Sequence, residues 1–162
     1  MKARLRLIVA VFLFLVFLAT CSFLRLLVLE NDQGEIIKLL PLFRGGSFAT
    51  AYIHSVEQIP VLEEYGVVGD RIQLERTVFY SYGAGLPLDE EGFDFQEGSF
   101  IVEKEKEFFN TITFRVARTP GQRLILGGKD ILFQDLLEPG ERLILRVYSI
   151  PGLVMRILAG SE

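Results

Sequence analysis

Residues that commonly carry chemistry are scarce in this 162-residue chain: it has one cysteine, one histidine and no tryptophan. A lone Cys21 excludes an intramolecular disulfide framework and a thiolate-rich zinc site. A lone His54 leaves one imidazole for the whole chain, too few for a metal centre built on histidine. Nothing in the composition calls for a metal or a cofactor.

Positive charge is also sparse. The chain has 17 Lys and Arg against 21 Asp and Glu, for a net charge of −4. Three of the basic residues, Lys2, Arg4 and Arg6, stand at the very start; beyond them 14 basic residues face 21 acidic ones, about −7. Such a balance argues against nucleic acid as a partner, because phosphate contacts need a basic surface. It equally disfavours adhesion to an anionic bilayer surface.

What the chain does have is a long uncharged run, from Leu7 to Leu24. Eighteen residues rise ~27 Å as a helix, close to the ~30 Å of a bilayer's hydrocarbon core. The basic residues before it favour a cytoplasmic N-terminus and a translocated remainder. A cleaved secretory signal has a shorter apolar core and a small-x-small site, which this run lacks. A lipoprotein signal would use "LATC", Leu18 to Cys21, but Thr20 is larger than the residue usually found before the modified cysteine. The expected organisation is a signal anchor over residues 1–24, crossing the cytoplasmic membrane once, followed by an extracytoplasmic domain over residues 25–162.

After Arg25 the pattern becomes short apolar runs separated by turn residues. "LRLLVLE" and "EIIKLLPL" flank "NDQG", which predicts a first hairpin. "SFATAYIHSV", "VLEEYGVV" and "RIQLERTVFYSY" read as a meander, and "SFIVEKEK" with "NTITFRVAR" as a further pair. "RLIL", "DILFQDLL" and "ERLILRVYSI" close the domain, the middle one equally readable as a short helix. Period-two alternation is clean where Ile112, Phe114 and Val116 oppose Thr111, Thr113 and Arg115, and where Leu143, Leu145 and Val147 oppose Arg142 and Arg146. One polar and one apolar face means antiparallel strands, each half-buried. The expectation is all-β: an antiparallel β-sandwich or partly closed barrel of about 8–10 strands, preceded by one N-terminal hydrophobic helix.

Turn chemistry suggests a register around the histidine. Gly69-Asp70 suits a two-residue type II′ turn and pairs Val68 with Arg71. Extending that ladder, and closing the preceding strands over "EQIP", gives rows Val56–Val61–Val78, His54–Glu63–Arg76, Tyr52–Tyr65–Leu74 and Thr50–Val67–Ile72. Three rows are mainly apolar, and the fourth sets histidine, carboxylate and guanidinium side by side. Two uses compete for this row: a polar ladder that fixes strand register, or the floor of a ligand site. Catalysis is disfavoured, because Ser55 and His54 are adjacent on one strand and so face opposite ways. His54 is expected to act as a hydrogen-bond donor to Glu63 or to a backbone carbonyl. A second candidate is "YGAGLP", where Tyr82, Gly83, Gly85 and Pro87 permit close backbone approach to a ligand's anionic or carbonyl group. No Lys-Ser/Thr follows it, so it is not a phosphate loop. The acidic stretch "GLPLDEEGFDFQEG" after it is long for a connection in a small domain.

These segments carry a resemblance. "HSVEQIPVLEEY" followed by "RIQLERTVFYSYGAGLP" resembles a bacterial family catalogued as domain of unknown function 1850, through His54, Ser55, Val56, Pro60, Glu63, Tyr65, Gly83, Ala84, Gly85 and Pro87. The resemblance implies an exported domain behind an N-terminal hydrophobic segment. It also implies genetic association with tripartite ATP-independent periplasmic (TRAP) transporters of the TAXI type. The function expected on these grounds is a membrane-anchored accessory or binding protein, with TAXI-type TRAP subunits as partners. The alternatives are a stand-alone domain binding a small anionic organic ligand near Arg76 and His54, and, least favoured, a hydrolase.

Overall fold

The computed structural model of the chain describes residues 2–43, 45–54, 58–79, 93–96, 99–151 and 154. An N-terminal helix, α1 (Lys2–Phe23), runs directly into the first strand, β1 (Leu24–Glu30). Then follow β2 (Ile36–Phe43), β3 (Ser47–Ile53), β4 (Pro60–Val68), β5 (Arg71–Phe79), β6 (Phe93–Gln96), β7 (Ser99–Phe109) and β8 (Ile112–Arg115). The chain continues through β9 (Arg123–Leu126), β10 (Lys129–Leu132), a 3₁₀ turn over Phe133–Asp135, and β11 (Arg142–Ser149). These make eleven strands among the described residues, one above the expected range.

The strands form two antiparallel sheets, ordered β2-β1-β11-β8 and β10-β9-β3-β4-β5-β7-β6. Each sheet has two edges, so neither closes into a barrel; the architecture is a sandwich. Its core comes from alternate residues of both inner faces. Leu27, Leu29, Leu143, Leu145 and Val147 lie on the four-stranded side, and Phe48, Tyr65, Val67, Ile72, Leu74 and Leu124 on the seven-stranded side. The alternation read in the sequence at Leu143, Leu145 and Val147 is borne out, all three being buried.

The first hairpin forms as expected, closed by Asn31, whose Oδ1 accepts from the backbone N–H groups of Gln33 at 3.1 Å and Glu35 at 2.9 Å. One expected pairing fails. "SFIVEKEK" and "NTITFRVAR" do not pair: β7 joins β5 and β6 in the large sheet, while β8 joins β11 in the small one. "DILFQDLL" divides between β10 and the 3₁₀ turn, which places Phe133 in the core with no solvent exposure.

The sandwich has two distinct ends. At the end where α1 enters, Arg25 of β1 reaches across to the β4–β5 turn, its Nε 3.0 Å from Asp70 Oδ1 and donating to Gly69 O at 3.1 Å. Gly69 has φ 65°, the positive value that the first position of a type II′ turn requires. Antiparallel pairing then puts Glu30, Ile53, Pro60, Phe79 and Arg115 at the far end.

On α1 itself, Leu5, Leu7, Ile8, Val9 and every residue from Val11 to Val16 are exposed, so its apolar surface is not confined to one stripe. Side chains of α1 are described only as far as Val16, and no helix of the described residues is long and apolar enough to cross a membrane.

Candidate functional site

The structure separates the three residues expected to form one polar row. Glu63 stands between Thr50 of β3 and Thr77 of β5, not between His54 and Arg76. Two local events account for the difference.

The first lies between β3 and β4. The strand ends at Ile53, paired with Pro60, and a six-residue loop replaces the expected four-residue connection. The His54 N–H donates to Ile59 O at 2.8 Å and the Gln58 N–H donates to His54 O at 2.9 Å. Gln58 adopts φ 54°, a left-handed conformation rare for a residue other than glycine or asparagine. Ile59 is 8% exposed, so an apolar anchor draws the loop inward. The register slides by four positions, and His54 sits at the strand's end.

The second event is a β-bulge. Pairing holds from Val68–Arg71 to Tyr65–Leu74 as expected, and then Glu75 is skipped and Arg76 pairs with Glu64. An extra residue turns the side chains that follow onto the opposite face. Arg76 consequently forms a two-pronged ion pair with Glu64, Nε to Oε2 at 2.6 Å and Nη2 to Oε1 at 3.0 Å. A Cβ at Gly66 would meet only the tip of the flexible Glu75 side chain, which can swing aside.

Around Glu63 the structure assembles a different cluster. The phenol of Tyr65 donates to Oε2 at 2.7 Å, that of Tyr52 to Oε1 at 3.1 Å, and the Thr50 hydroxyl reaches Oε2 at 3.4 Å. Thr50 is fully buried and Tyr65 almost so, while Tyr52 and Glu63 are half-buried. Burial pushes both tyrosine pKa values well above their usual range, and the charge of Glu63 and its hydrogen bond push them further. Both phenols therefore stay protonated as donors. Aromatic packing extends the cluster: Tyr65 stacks on Phe48 with ring centroids 5.1 Å apart, and Tyr52 tilts against Phe114 of the facing sheet at 6.3 Å.

Chemically this is a carboxylate whose described partners are all hydroxyl donors, with no imidazole or thiol among them. It suits fixation of a polar group inside a sandwich better than proton transfer. Among the described residues no three His, Cys, Asp or Glu side chains converge as metal ligands. Tyr82, Gly83, Gly85 and Pro87 lie outside the described residues, as does Ser55. The strand leading to that glycine segment, β5, ends at Phe79 on the far end, level with Val61 and near the His54 loop.

The sequence profile of the family described as Domain of unknown function (DUF1850) matches residues 48–133, just over half of the chain, and the protein belongs to that family. No curated protein and no solved structure gave a significant match. The matched region begins in β3 and takes in the Glu63 cluster, the bulge and the far-end loops.

Proposed function

We propose that this member of the domain of unknown function 1850 family is a membrane-tethered, extracytoplasmic β-sandwich. It acts as a non-enzymatic accessory or binding module beside a TAXI-type TRAP solute transporter. The observation that carries the tether is α1. Large apolar side chains are exposed without a break from Val11 to Val16, and a helix that is apolar on all sides is stable when surrounded by protein core or lipid. The basic residues Lys2, Arg4 and Arg6 precede the uncharged run, which favours retention of the N-terminus in the cytoplasm.

Because α1 passes into β1 without a linker, the tether fixes which end of the sandwich faces outward. The Arg25–Asp70 end lies beside the bilayer in this reading, and His54 and the end of β5 at Phe79 lie at the other end. Loops on a rigid scaffold are where binding residues concentrate. The association with a transporter is supported by the family's implied genetic context, and a binding role by the Glu63 cluster, whose described partners are all hydroxyl donors.

Affinity purification of the tagged full chain from native membranes tests this directly. Transporter subunits are expected in the eluate at comparable amount to the bait. Recovery of the bait without them, under solubilisation that keeps a known transporter complex intact, would overturn the partnership.

A further inference from the structure

At the far end of the sandwich the end of β3 meets the segment between β8 and β9. A cavity of about 260 Å³ sits there, bounded by Tyr52, Gln58, Ala117, Thr119, Pro120 and Gln122. We propose that this cavity binds a small hydrogen-bonding molecule that carries no negative charge. The proposal stands whichever partner the module has.

Both walls are held in place. On one side the loop after β3 is closed by the His54 and Gln58 backbone bonds and anchored by buried Ile59. Gln58 keeps φ 54° there, a conformation that persists in a residue other than glycine only when its surroundings enforce it. On the other side the Gln122 side chain accepts from the Ala117 N–H at 2.9 Å, and the Phe133 N–H donates to Gln122 O at 3.0 Å. The Gln134 amide donates to Ala117 O at 2.9 Å and to Arg118 O at 3.2 Å. A pocket whose walls are already ordered loses little entropy on binding.

The lining decides the class of ligand. Among the described residues that line it, none carries an ionised side chain. Tyr52 commits its hydroxyl hydrogen to Glu63, so the phenol oxygen offers the ligand only an acceptor. Behind that phenol stands a carboxylate 3.1 Å away. An anion entering the cavity would lose water without meeting a counter-charge, and the field of Glu63 would oppose it. A ligand N–H or O–H gains instead.

Of the nearby cations, Arg118 is an exposed residue of the Ala117–Thr119 segment and is not among the described lining residues. Arg76 is bound to Glu64 on the opposite face, and Arg123 beside an adjoining groove lies 3.1 Å from Asp130 and donates to Gly121 O.

Three probes of one shape and different charge test the proposal: benzoate, benzamide and benzamidine. Each is titrated into the ¹⁵N-labelled full chain in lipid nanodiscs. Benzamide and benzamidine are expected to give saturable shifts at the backbone amides of Gln58, Ala117 and Gln122, with benzoate at least about tenfold weaker. Thr119→Trp, at an exposed loop position, should block the mouth and abolish the shifts with unchanged thermal unfolding. Tyr52→Phe should weaken benzamide severalfold by removing the acceptor. Shifts elsewhere only, equal binding of benzoate, or undiminished binding by the Thr119→Trp variant would each defeat the proposal.

Discussion

The phenol of Tyr65 donates to the carboxylate of Glu63, two residues away on the same strand, at 2.7 Å. Residues at this spacing share a face of the sheet, so both point into the sandwich. Tyr52 meets the other carboxylate oxygen from the neighbouring strand, and Thr50 lies directly opposite Glu63. The inner face at this end is consequently organised around one carboxylate.

Replacing Glu63 by Ala leaves the buried hydroxyls of Thr50 and Tyr65 without their acceptor. Each buried donor left unsatisfied costs ~1–3 kcal/mol. We expect a total loss of roughly 2–5 kcal/mol, read by equilibrium unfolding in denaturant. Glu63→Gln keeps one acceptor oxygen and should lose less. A loss under about 1 kcal/mol for Glu63→Ala would show that the cluster is solvated and structurally minor.

The raised tyrosine pKa values set an alkaline limit. Their phenols stay protonated in the folded chain, while the unfolded chain releases protons at ~10. Their stabilisation is therefore fully present below ~10 and is lost as pH rises toward the folded values. Between the unfolded and folded values each phenol's decline approaches ~1.4 kcal/mol per pH unit, over a narrower pH range for half-buried Tyr52 than for buried Tyr65. Denaturant unfolding between pH 8 and 11 measures the slope; it should flatten in the Tyr52→Phe/Tyr65→Phe double variant. An unchanged slope in that variant would assign the alkaline sensitivity to other groups.

Two arginines should differ sharply on truncation. Arg76 and Glu64 are exposed, with 45% and 30% of their side-chain surface open, so Arg76→Ala should cost about 0–1 kcal/mol. Arg146 lies 3.6 Å from Glu30, whose side chain is only 1% exposed, and Arg146→Ala should cost more, roughly 1–3 kcal/mol, because it removes a positive charge beside a buried carboxylate. Equal costs for the two variants would contradict this ranking.

The β4–β5 hairpin was legible because a two-residue turn fixes the pairs nearest it, and Gly69 marked that turn. The bulge at Glu75 lay six residues further on and displaced Arg76 to the other face. No turn residue stands at the bulge itself to mark it: it falls at Glu75, where the alternation alone predicts a continuous strand. The slip of His54 had no such mark either. Its cause is a glutamine in a left-handed conformation, where turn chemistry leads one to look for glycine or asparagine. Hydroxyl groups around Glu63 were present in the pattern as Thr50, Tyr52 and Tyr65, but the tyrosines were read for their rings. Tyrosine buried by its ring still needs a partner for its hydroxyl.

The proposed arrangement sets the sandwich outside the cytoplasmic membrane, tethered by α1 with its far end outward. Thiol labelling in intact cells tests it most directly. Cys21, the chain's single cysteine, is replaced by Ser, and Thr119 at the exposed far end by Cys. A membrane-impermeant maleimide should then label Thr119→Cys in spheroplasts without lysis, while the protein sediments with membranes and is released only by detergent. Labelling that appears only after the cells are lysed would contradict the account.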